Sequence, residues 1–223
     1  MGVLSLIKQE VNIVFERDPA AHSKAQVFFL YPGVRAIINY RIAHWLDGKG
    51  HHFLADWVSK HTRKKTGIEI HPSAKIGKGV FIDHGMGVVI GETAEVGDYC
   101  TIYQGVTLGG TGKDKGKRHP TIGKNVTIGS GAKILGPFTV GDNSKVAANA
   151  VVLNEIPPNS TCVGVPAHIV KRDNKRIAHA APTIRPVADL DQIHIPDPVS
   201  MEICSLRAEI DHLKKKLEEK EDE

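Results

Sequence analysis

The chain has 223 residues, a formal net charge of +4 and 24% charged residues, which suits one large domain or two small ones. This modest positive charge is compatible with a small polyanionic ligand but lacks the dense basic stripe of nucleic-acid binders. The three cysteines (Cys100, Cys162 and Cys204) have no metal-ligand spacing and favour a reducing compartment over a disulfide framework. We find no signal-peptide pattern and no run of about 18 apolar residues, so we expect a soluble, cytoplasmic protein with no membrane partner.

Residues 1–66 are predicted to form a helical domain. Apolar residues recur at helical spacing up to Phe15, and the pattern ends at Arg17-Asp18-Pro19, where proline favours the start of a new helix. A turn at Tyr31-Pro32-Gly33 precedes a longer helix that ends before Gly48. We therefore expect several helices before the first strand.

The last helix of this region is predicted to run from about His52 to Lys64. Its inward-facing residues are expected to be the apolar Leu54, Trp57 and Val58. The region also contains four histidines, which we interpret as surface or packing residues rather than metal ligands: His44, His51, His52 and His61.

From Ile70 to Val152 an aliphatic residue recurs every six positions, with two interruptions. The positions are Ile70, Ile76, Ile82, Ile90, Val96, Ile102, Leu108, Ile122, Ile128, Ile134, Val140, Val146 and Val152. A helix would repeat at 3.6 residues and an ordinary strand at 2, whereas a period of six is typical of the hexapeptide form of the left-handed parallel β-helix. Each unit is predicted to form one short strand and one corner, with the aliphatic residue pointing inward. The predicted fold class is therefore α+β, with residues 67–170 as a left-handed β-helix.

The first interruption of the repeat is Asp83-His84-Gly85-Met86-Gly87. Insertions in a solenoid form loops, often on the binding face. His84 is the better candidate for a general base, since the missing Cβ of Gly85 eases a tight bend beside it. The alternative is that His84 only caps a corner through hydrogen bonds.

The second interruption spans residues 109–120 and ends in Arg118-His119-Pro120. The planar guanidinium of Arg118 suits a carboxylate, which indicates an amino-acid or hydroxy-acid ligand. His119 is either part of that site or an exposed loop residue. The glycines that open the loop leave backbone N–H groups accessible to a ligand.

The C-terminal part of the chain is predicted to be a linker and a coiled-coil tail. Residues 171–198 are polar and contain prolines, as in a linker. Residues 199–223 show a heptad pattern that predicts a short coiled-coil helix, with an acidic end at Glu221-Asp222-Glu223. The residues of its apolar seam are Ile203, Leu206, Ile210, Leu213 and Leu217.

Several separate motifs between about residues 16 and 172 resemble those of serine O-acetyltransferases, the first enzymes of cysteine biosynthesis. The motifs are Arg17-Asp18-Pro19-Ala20, Tyr40-Arg41-Ile42-Ala43-His44-Trp45, Ile68-Glu69-Ile70-His71-Pro72, Asp83-His84-Gly85, Gly91-Glu92-Thr93, Gly109-Gly110-Thr111-Gly112-Lys113, Arg118-His119-Pro120, Gly131-Ala132-Lys133-Ile134-Leu135-Gly136 and Gly164-Val165-Pro166-Ala167. The resemblance implies transfer of an acetyl group from acetyl-CoA to the hydroxyl of L-serine, with no metal.

The matching motifs also imply a role for particular residues. His84 would be the general base and Glu69, where the family often has Asp, would hold its tautomer, with His119 at the reacting end. Asp18 and Asp83 would bind the substrate ammonium and Arg118 its carboxylate. Acetyl-CoA would lie along a set of mostly small residues: Gly110, Thr111, Ser130, Gly131 and Ala148.

The resemblance implies partners as well. These are L-serine, L-cysteine as a feedback inhibitor, and further copies of the chain in a homotrimer or a dimer of trimers. The helical region before Arg17 is short for the family, whose longer members use extra helices to join two trimers. The acidic C-terminus argues against docking to O-acetylserine sulfhydrylase, and the seam predicts instead that the tails associate with each other.

Three other functions remain possible for a hexapeptide repeat. The first is acetyl transfer to a sugar or an antibiotic, against which the pairing of Arg118 with Asp18 argues. The second is a metal enzyme resembling the γ-type carbonic anhydrases, which needs a third histidine beside His84 and His119. The third is a non-catalytic scaffold, which leaves both histidine-bearing interruptions unexplained.

Overall fold

The computed structural model describes residues 3–110, 112, 116–173, 175, 176, 206, 209 and 210. The predicted helical N-terminal region is confirmed, and its helices are α1 (Val3–Arg17), α2 (Lys24–Leu30), α3 (Pro32–Gly48) and α4 (His52–Thr66). The helix expected to start at Pro19 begins later, at Lys24. The reason is a side-chain cap, because Ser23 Oγ accepts a hydrogen bond from Gln26 N at 3.1 Å.

The inward face of α4 differs from the prediction. Leu54 and Trp57 are 49% and 59% exposed in the single protomer, while Val58 is half-buried. The buried positions of this helix include Thr62 and Thr66, whose hydroxyls each donate to a carbonyl one turn earlier at 2.8 Å. A hydroxyl satisfied in this way can be buried without cost from a lost hydrogen bond, so hydropathy alone assigned the wrong face.

Short strands follow α4 and build three sheets that the chain visits in rotation, parallel throughout except for the last two strands of sheet C. Sheet A holds β1 (Glu69–Ile70), β4 (Val89–Ile90), β7 (Thr107–Gly109), β10 (Lys133–Leu135) and β13 (Val151–Val152). Sheet B holds β2 (Lys75–Ile76), β5 (Glu95–Val96), β8 (Thr121–Ile122) and β11 (Thr139–Val140). Sheet C holds β3 (Phe81–Ile82), β6 (Thr101–Ile102), β9 (Thr127–Ile128), β12 (Lys145–Val146), β14 (Ser160–Val163), β15 (His168–Arg172) and β16 (Lys175–Arg176).

One round through sheets A, B and C is called a coil here, and the segments between sheets are the A–B, B–C and C–A turns. The A–B turns include residues 71–74 and 91–94 and the described residues 110, 112 and 116–120, and the C–A turns include residues 83–88, 129–132 and 147–150. Strands β15 and β16 pair antiparallel, so the predicted linker from Lys171 begins inside a hairpin.

The six-residue period is confirmed as the organising pattern of the sheets. Every predicted aliphatic position is the second residue of a strand and is buried. Successive coils place these residues in register, for example Ile90 beside Leu108 and Leu108 beside Ile134. The resulting core is a continuous column of aliphatic side chains, as expected for stacked hexapeptide units.

Helices α3 and α4 cover the N-terminal end of this column through hydrogen bonds. Most backbone N–H groups of the strands donate to carbonyls of the next coil, so the carbonyls of the first coil have no preceding coil to donate to them. Ser59 Oγ donates to Ile70 O at 2.7 Å, and Arg41 donates to the carbonyls of Ile76 and Gly77. Further donors from α3 reach this edge from Tyr40 and His44. The helices therefore satisfy the open edge of the first coil.

In the described part of the chain, none of the helices combines the length and apolar character needed to cross a bilayer. Of the predicted tail, Leu206, Glu209 and Ile210 are helical and exposed. Cys204 and the remaining seam positions lie outside the described residues.

Candidate active site

The first interruption of the repeat is the C–A turn between β3 and β4, and it projects His84 outward. His84 and Gly85 both have positive φ, at 55° and 74°. A Cβ at Gly85 would lie 2.4 Å from Ile68 Cδ1, so the turn needs glycine there. The His84 side chain is 76% exposed, and its Nε2 lies 4.0 Å from Asp83 Oδ1. The backbone thus presents an imidazole at the surface beside a carboxylate.

The end of α1 brings a second carboxylate to the same place. Asp18 Oδ2 accepts a hydrogen bond from the Tyr31 hydroxyl at 2.7 Å, and Asp18 Oδ1 accepts one from Ala20 N at 2.8 Å. Burial raises the pKa of the Asp83 carboxyl, and the charge of Asp18 raises it further. Burial, the hydrogen bond to Asp18 and the two nearby carboxylates raise the pKa of Tyr31 to about 12. The pair Asp18 and Asp83 is therefore a negative site suited to a cation.

Glu69, the predicted orienting group for His84, has a different neighbour. Its Oε2 lies 2.9 Å from Arg63 Nη1 at the end of α4, and its side chain is 30% exposed. Within one protomer, then, the described carboxylate at ion-pair distance from His84 is that of Asp83. The orienting role of Glu69 stays a prediction.

The second interruption is an A–B turn, and its end folds back onto the previous coil at Thr93. The Thr93 hydroxyl accepts hydrogen bonds from Arg118 N at 3.0 Å and from His119 N at 3.1 Å. Thr93 O accepts one from Lys117 Nζ at 2.8 Å. The guanidinium of Arg118 forms an ion pair with Glu92. One residue of the preceding coil therefore anchors three consecutive residues of the loop.

The imidazole of His119 is buried against the same coil. Its Nδ1 lies 3.2 Å from Thr93 N and 2.9 Å from Thr93 Oγ1. The ring packs over Gly91, where a Cβ would lie 2.1 Å from the ring. Burial lowers the pKa of His119, and the positive charge of Arg118 lowers it further. Glu92 opposes this shift, whereas the other facing groups, His71 and Lys117, add to it. His119 is thus held as a neutral ring.

The described residues predicted to bind acetyl-CoA lie on three different turns. Gly110 lies beside Arg118, since a Cβ at Gly110 would come within 3.0 Å of Arg118 Cγ. Ser130, Gly131 and Ala148 lie on C–A turns of later coils, and Gly131 N already donates to a carbonyl at 2.8 Å. Any contact of Gly131 with a ligand would therefore not use its N–H group. Thr111 lies outside the described residues.

The structure groups the predicted residues into two sets on different turns of one chain. Asp18, Asp83 and His84 lie together at a C–A turn, whereas Arg118 and His119 lie at an A–B turn. Sheet A separates the two turns, and no described hydrogen bond or ion pair joins the sets. Among the described residues, no three His, Cys, Asp or Glu side chains converge on a point where a metal ion could be held.

Four residues of this arrangement were not given a role from the sequence. Thr93, Glu92 and Gly91 appeared only as a motif, and Tyr31 only as part of a turn. Their roles depend on contacts between coils or between domains, which spacing along the chain does not reveal. A sequence signal existed only for Gly91, since small residues after a buried strand position indicate close approach of another group.

Short strands in three sheets visited in rotation, with histidines on the two long turns, are typical of hexapeptide-repeat proteins. Residues 119–154 match the family described as bacterial transferase hexapeptide (six repeats). The serine acetyltransferase of Staphylococcus xylosus is 51% identical over 208 residues, covering 93% of this chain and 92% of its own. That of Bacillus licheniformis is 49% identical over 218 residues, covering 98% and 97%. The chain belongs to the serine acetyltransferase family.

Solved structures of serine acetyltransferases are also similar to this chain. One in complex with cysteine has a TM-score of 0.75 and 42% identity, covering 77% of this chain and 66% of its own. The Neisseria gonorrhoeae enzyme in complex with serine has a TM-score of 0.73 and 40% identity, covering 76% and 69%. The Brucella abortus strain S19 enzyme in complex with coenzyme A has a TM-score of 0.73 and 44% identity, covering 76% and 68%. The chain spans about two thirds of the length of these solved chains.

Proposed function

We propose that the protein transfers the acetyl group of acetyl-CoA to the hydroxyl of L-serine, giving O-acetyl-L-serine and CoA for cysteine biosynthesis. Membership of the serine acetyltransferase family supports this reaction, as do the solved relatives in complex with serine and with coenzyme A. The observation that carries the choice of acceptor is a pairing of charges. Asp83 on one turn is joined by Asp18 from the end of α1, and an arginine lies on another turn, which suits a zwitterionic amino acid better than an uncharged sugar.

His84 is proposed as the general base. The hydroxyl of serine is a weak nucleophile at its own pKa, so a base within about 3 Å is needed. His84 takes the hydroxyl proton as the serine oxygen attacks the acetyl carbonyl, and it returns that proton to the departing sulfur of CoA. Its 76% exposure in one protomer leaves the face of the ring open to a substrate. Glu69 is proposed to orient this ring, and His84 then competes with Arg63 for the Glu69 carboxylate.

The two charged sets are proposed to hold the two ends of serine. Asp18 and Asp83 bind the ammonium, whose positive charge offsets the burial and the smaller effect of Asp18 that raise the pKa of Asp83. Arg118 binds the carboxylate with the donors of its fork that Glu92 does not use. L-Cysteine has the same two charged groups, so we propose it as a competitive inhibitor. The solved relative in complex with cysteine supports this.

Acetyl-CoA is proposed to be the co-substrate and to run along the turns that carry Gly110, Thr111, Ser130, Gly131 and Ala148. The solved relative in complex with coenzyme A supports the identity of this ligand. A cytoplasmic location is proposed on chemical grounds, since Cys100 and Cys162 are free thiols.

A trimer is proposed to complete the site. The two sets lie on different turns of one chain. A single protomer therefore has the ammonium-binding carboxylates at its C–A turn and the carboxylate-binding arginine at its A–B turn. If the C–A turn of one protomer faces the A–B turn of the next, a threefold rotation closes the ring and gives each trimer three composite sites.

We also propose that the three sheets wind as a left-handed helix and that the tails form a coiled coil. A homotrimer or a dimer of trimers is consistent with this arrangement.

The test is acetyl-CoA consumption by the full-length protein across candidate acceptors. We expect CoA release with L-serine and none above background with a galactoside or chloramphenicol. Turnover of a sugar or antibiotic in preference to serine would identify the other class of hexapeptide-repeat acetyltransferase. The product with serine should be identified by mass as O-acetyl-L-serine, because hydrolysis of acetyl-CoA also releases CoA.

A further inference from the structure

We propose that Thr93 is a positioning residue that sets which ring nitrogen of His119 carries the proton. Thr93 lies in the coil before the loop and acts through His119 rather than on the reacting atoms. The kinetic consequence rests on the proposed function, whereas the state of the ring does not. The inference follows from the hydrogen-bond capacity of the Thr93 side chain.

The Thr93 hydroxyl uses its full capacity. Two backbone N–H groups, those of Arg118 and His119, donate to Oγ1 at 3.0 and 3.1 Å. A hydroxyl has two acceptor lone pairs and one proton, so these contacts leave only the proton to be used. The remaining neighbour of Oγ1 is His119 Nδ1 at 2.9 Å, and the hydroxyl therefore donates to that nitrogen.

The backbone of Thr93 points to the same conclusion. Its N–H group donates to His119 Nδ1 at 3.2 Å. A ring protonated on Nδ1 would place two N–H groups head to head, so Nδ1 accepts. A neutral imidazole carries one proton, which must then be on Nε2. Two independent donors of one residue thus select the same tautomer.

The surroundings keep the ring neutral and aimed in one direction. The ring lies over Gly91, and Thr93 holds its opposite edge. The charged and titratable groups that face it are Arg118, Glu92, His71 and Lys117. Burial and the positive neighbours lower its pKa. His119 therefore offers an N–H donor near neutral pH.

This tautomer defines what His119 contributes to the reaction. Its Nδ1 lone pair is occupied by Thr93 and its Nε2 carries a proton, so it has no free lone pair to accept the serine proton. That leaves His84 as the base. A fixed N–H donor instead suits the negative charge that develops on the carbonyl oxygen during acyl transfer. The two histidines thus have different roles because their hydrogen-bond partners differ.

The experiment combines nitrogen NMR with kinetics on the full-length protein. Histidine labelled with ¹⁵N reports the protonation of each ring nitrogen, and the His119 signals are assigned by their loss in His119→Gln. Thr93→Val removes the hydroxyl but keeps the shape and the backbone N–H, and Thr93→Ser restores the hydroxyl. Thr139→Val is the matched control, since Thr139 lies exposed in β11 of sheet B.

We expect the Nε2–H tautomer of His119 in the wild type and in Thr93→Ser. In Thr93→Val the backbone N–H still donates to Nδ1, so we expect the Nε2–H tautomer to be retained in part, with the Nδ1 signal shifted by loss of the O–H donor. We expect kcat for serine to be lowered about tenfold with a smaller change in KM, the effect of losing one hydrogen bond. Thr139→Val should leave both readouts unchanged.

Three results would overturn the inference. The first is an Nδ1–H tautomer in the wild type, which decides the question even if Thr93→Val fails to assemble. The second is an unchanged ring signal in Thr93→Val. The third is a loss of kcat in Thr93→Val that Thr93→Ser does not restore, which would indicate a purely structural role. If the wild type does not acetylate serine, the proposed function fails, and the ring signals still test the tautomer separately.

Discussion

Replacing Gly91 by alanine tests whether the position of the His119 ring limits the rate. A Cβ at Gly91 would lie 2.1 Å from both Cδ2 and Nε2 of His119. Non-bonded carbon atoms approach to about 3.5 Å, so the ring would have to move by roughly 1.4 Å. A misplacement of about 1 Å at a reacting centre costs on the order of 100-fold. We therefore expect kcat for serine acetylation to fall about 100-fold in Gly91→Ala.

The ring cannot move without losing its other contacts. Thr93 holds Nδ1 at 2.9 Å, and a displacement of this size would break that hydrogen bond. Backbone strain does not contribute, because Gly91 has no positive φ. The expected loss is thus local to the site, with assembly retained.

The assay is release of CoA thiol at saturating acetyl-CoA over a range of serine concentrations, with circular dichroism and solution mass as checks of folding. The control is Gly48→Ala in α3, where a Cβ would meet nothing within 4 Å. It should keep wild-type kcat. Wild-type kcat in a correctly assembled Gly91→Ala variant would refute the idea that this ring is fixed by the coil beneath it.

Three further predictions concern the site residues and the two buried cysteines. His84→Ala and His119→Ala should each be nearly inactive, with a loss of roughly 10²–10⁴-fold for His84. If these two variants are unfolded and refolded together, about a quarter of wild-type activity should return, because each composite site of the proposed trimer has one chance in four of pairing an intact His84 with an intact His119. No recovery after mixing would place the site within one protomer. Arg118→Ala should raise KM for serine and weaken inhibition by cysteine together, and unchanged inhibition would place cysteine elsewhere. Burial raises the pKa of Cys100 to about 11 and of Cys162 to about 12, so both thiols stay protonated at pH 8 and should resist iodoacetamide until the protein unfolds, as peptide mass mapping can check.

The sheets could be predicted from the sequence because their pattern is local and repeated. Each coil buries one aliphatic residue per strand, and the same requirement recurs at every coil. The inward position of Ile134 can therefore be predicted from the equivalent aliphatic residues six positions before and after it. The buried faces of the helices were harder to predict from the sequence. The inward face of α4 includes Thr62 and Thr66, which hydropathy reads as polar, whereas Trp57 is exposed in the single protomer.

The candidate site could be predicted in part. The interruptions of the repeat identified His84 and His119, because insertions in a solenoid form loops that often lie on the binding face. The contacts of these residues with other coils and helices could not be predicted from their spacing along the chain, and Asp18 was identified only through the resemblance. Thr93 contacts residues 24 to 26 positions later in the chain, and Asp18 meets Asp83 only because α1 packs beside β3.

The carbonyl edge of the first coil has a consequence for how the solenoid ends. A parallel sheet with an unpaired edge accepts any strand that offers N–H groups, and identical coils from many chains are well matched to one another. Side chains occupy the carbonyl groups of that edge, so a further strand cannot pair with it. The donors are Ser59, Tyr40 and Arg41. The N-terminal helices therefore prevent further strands from adding to the first coil, and they also position Asp18. A protein cut off before Glu69 would expose a growing end and tend to polymerise into fibres.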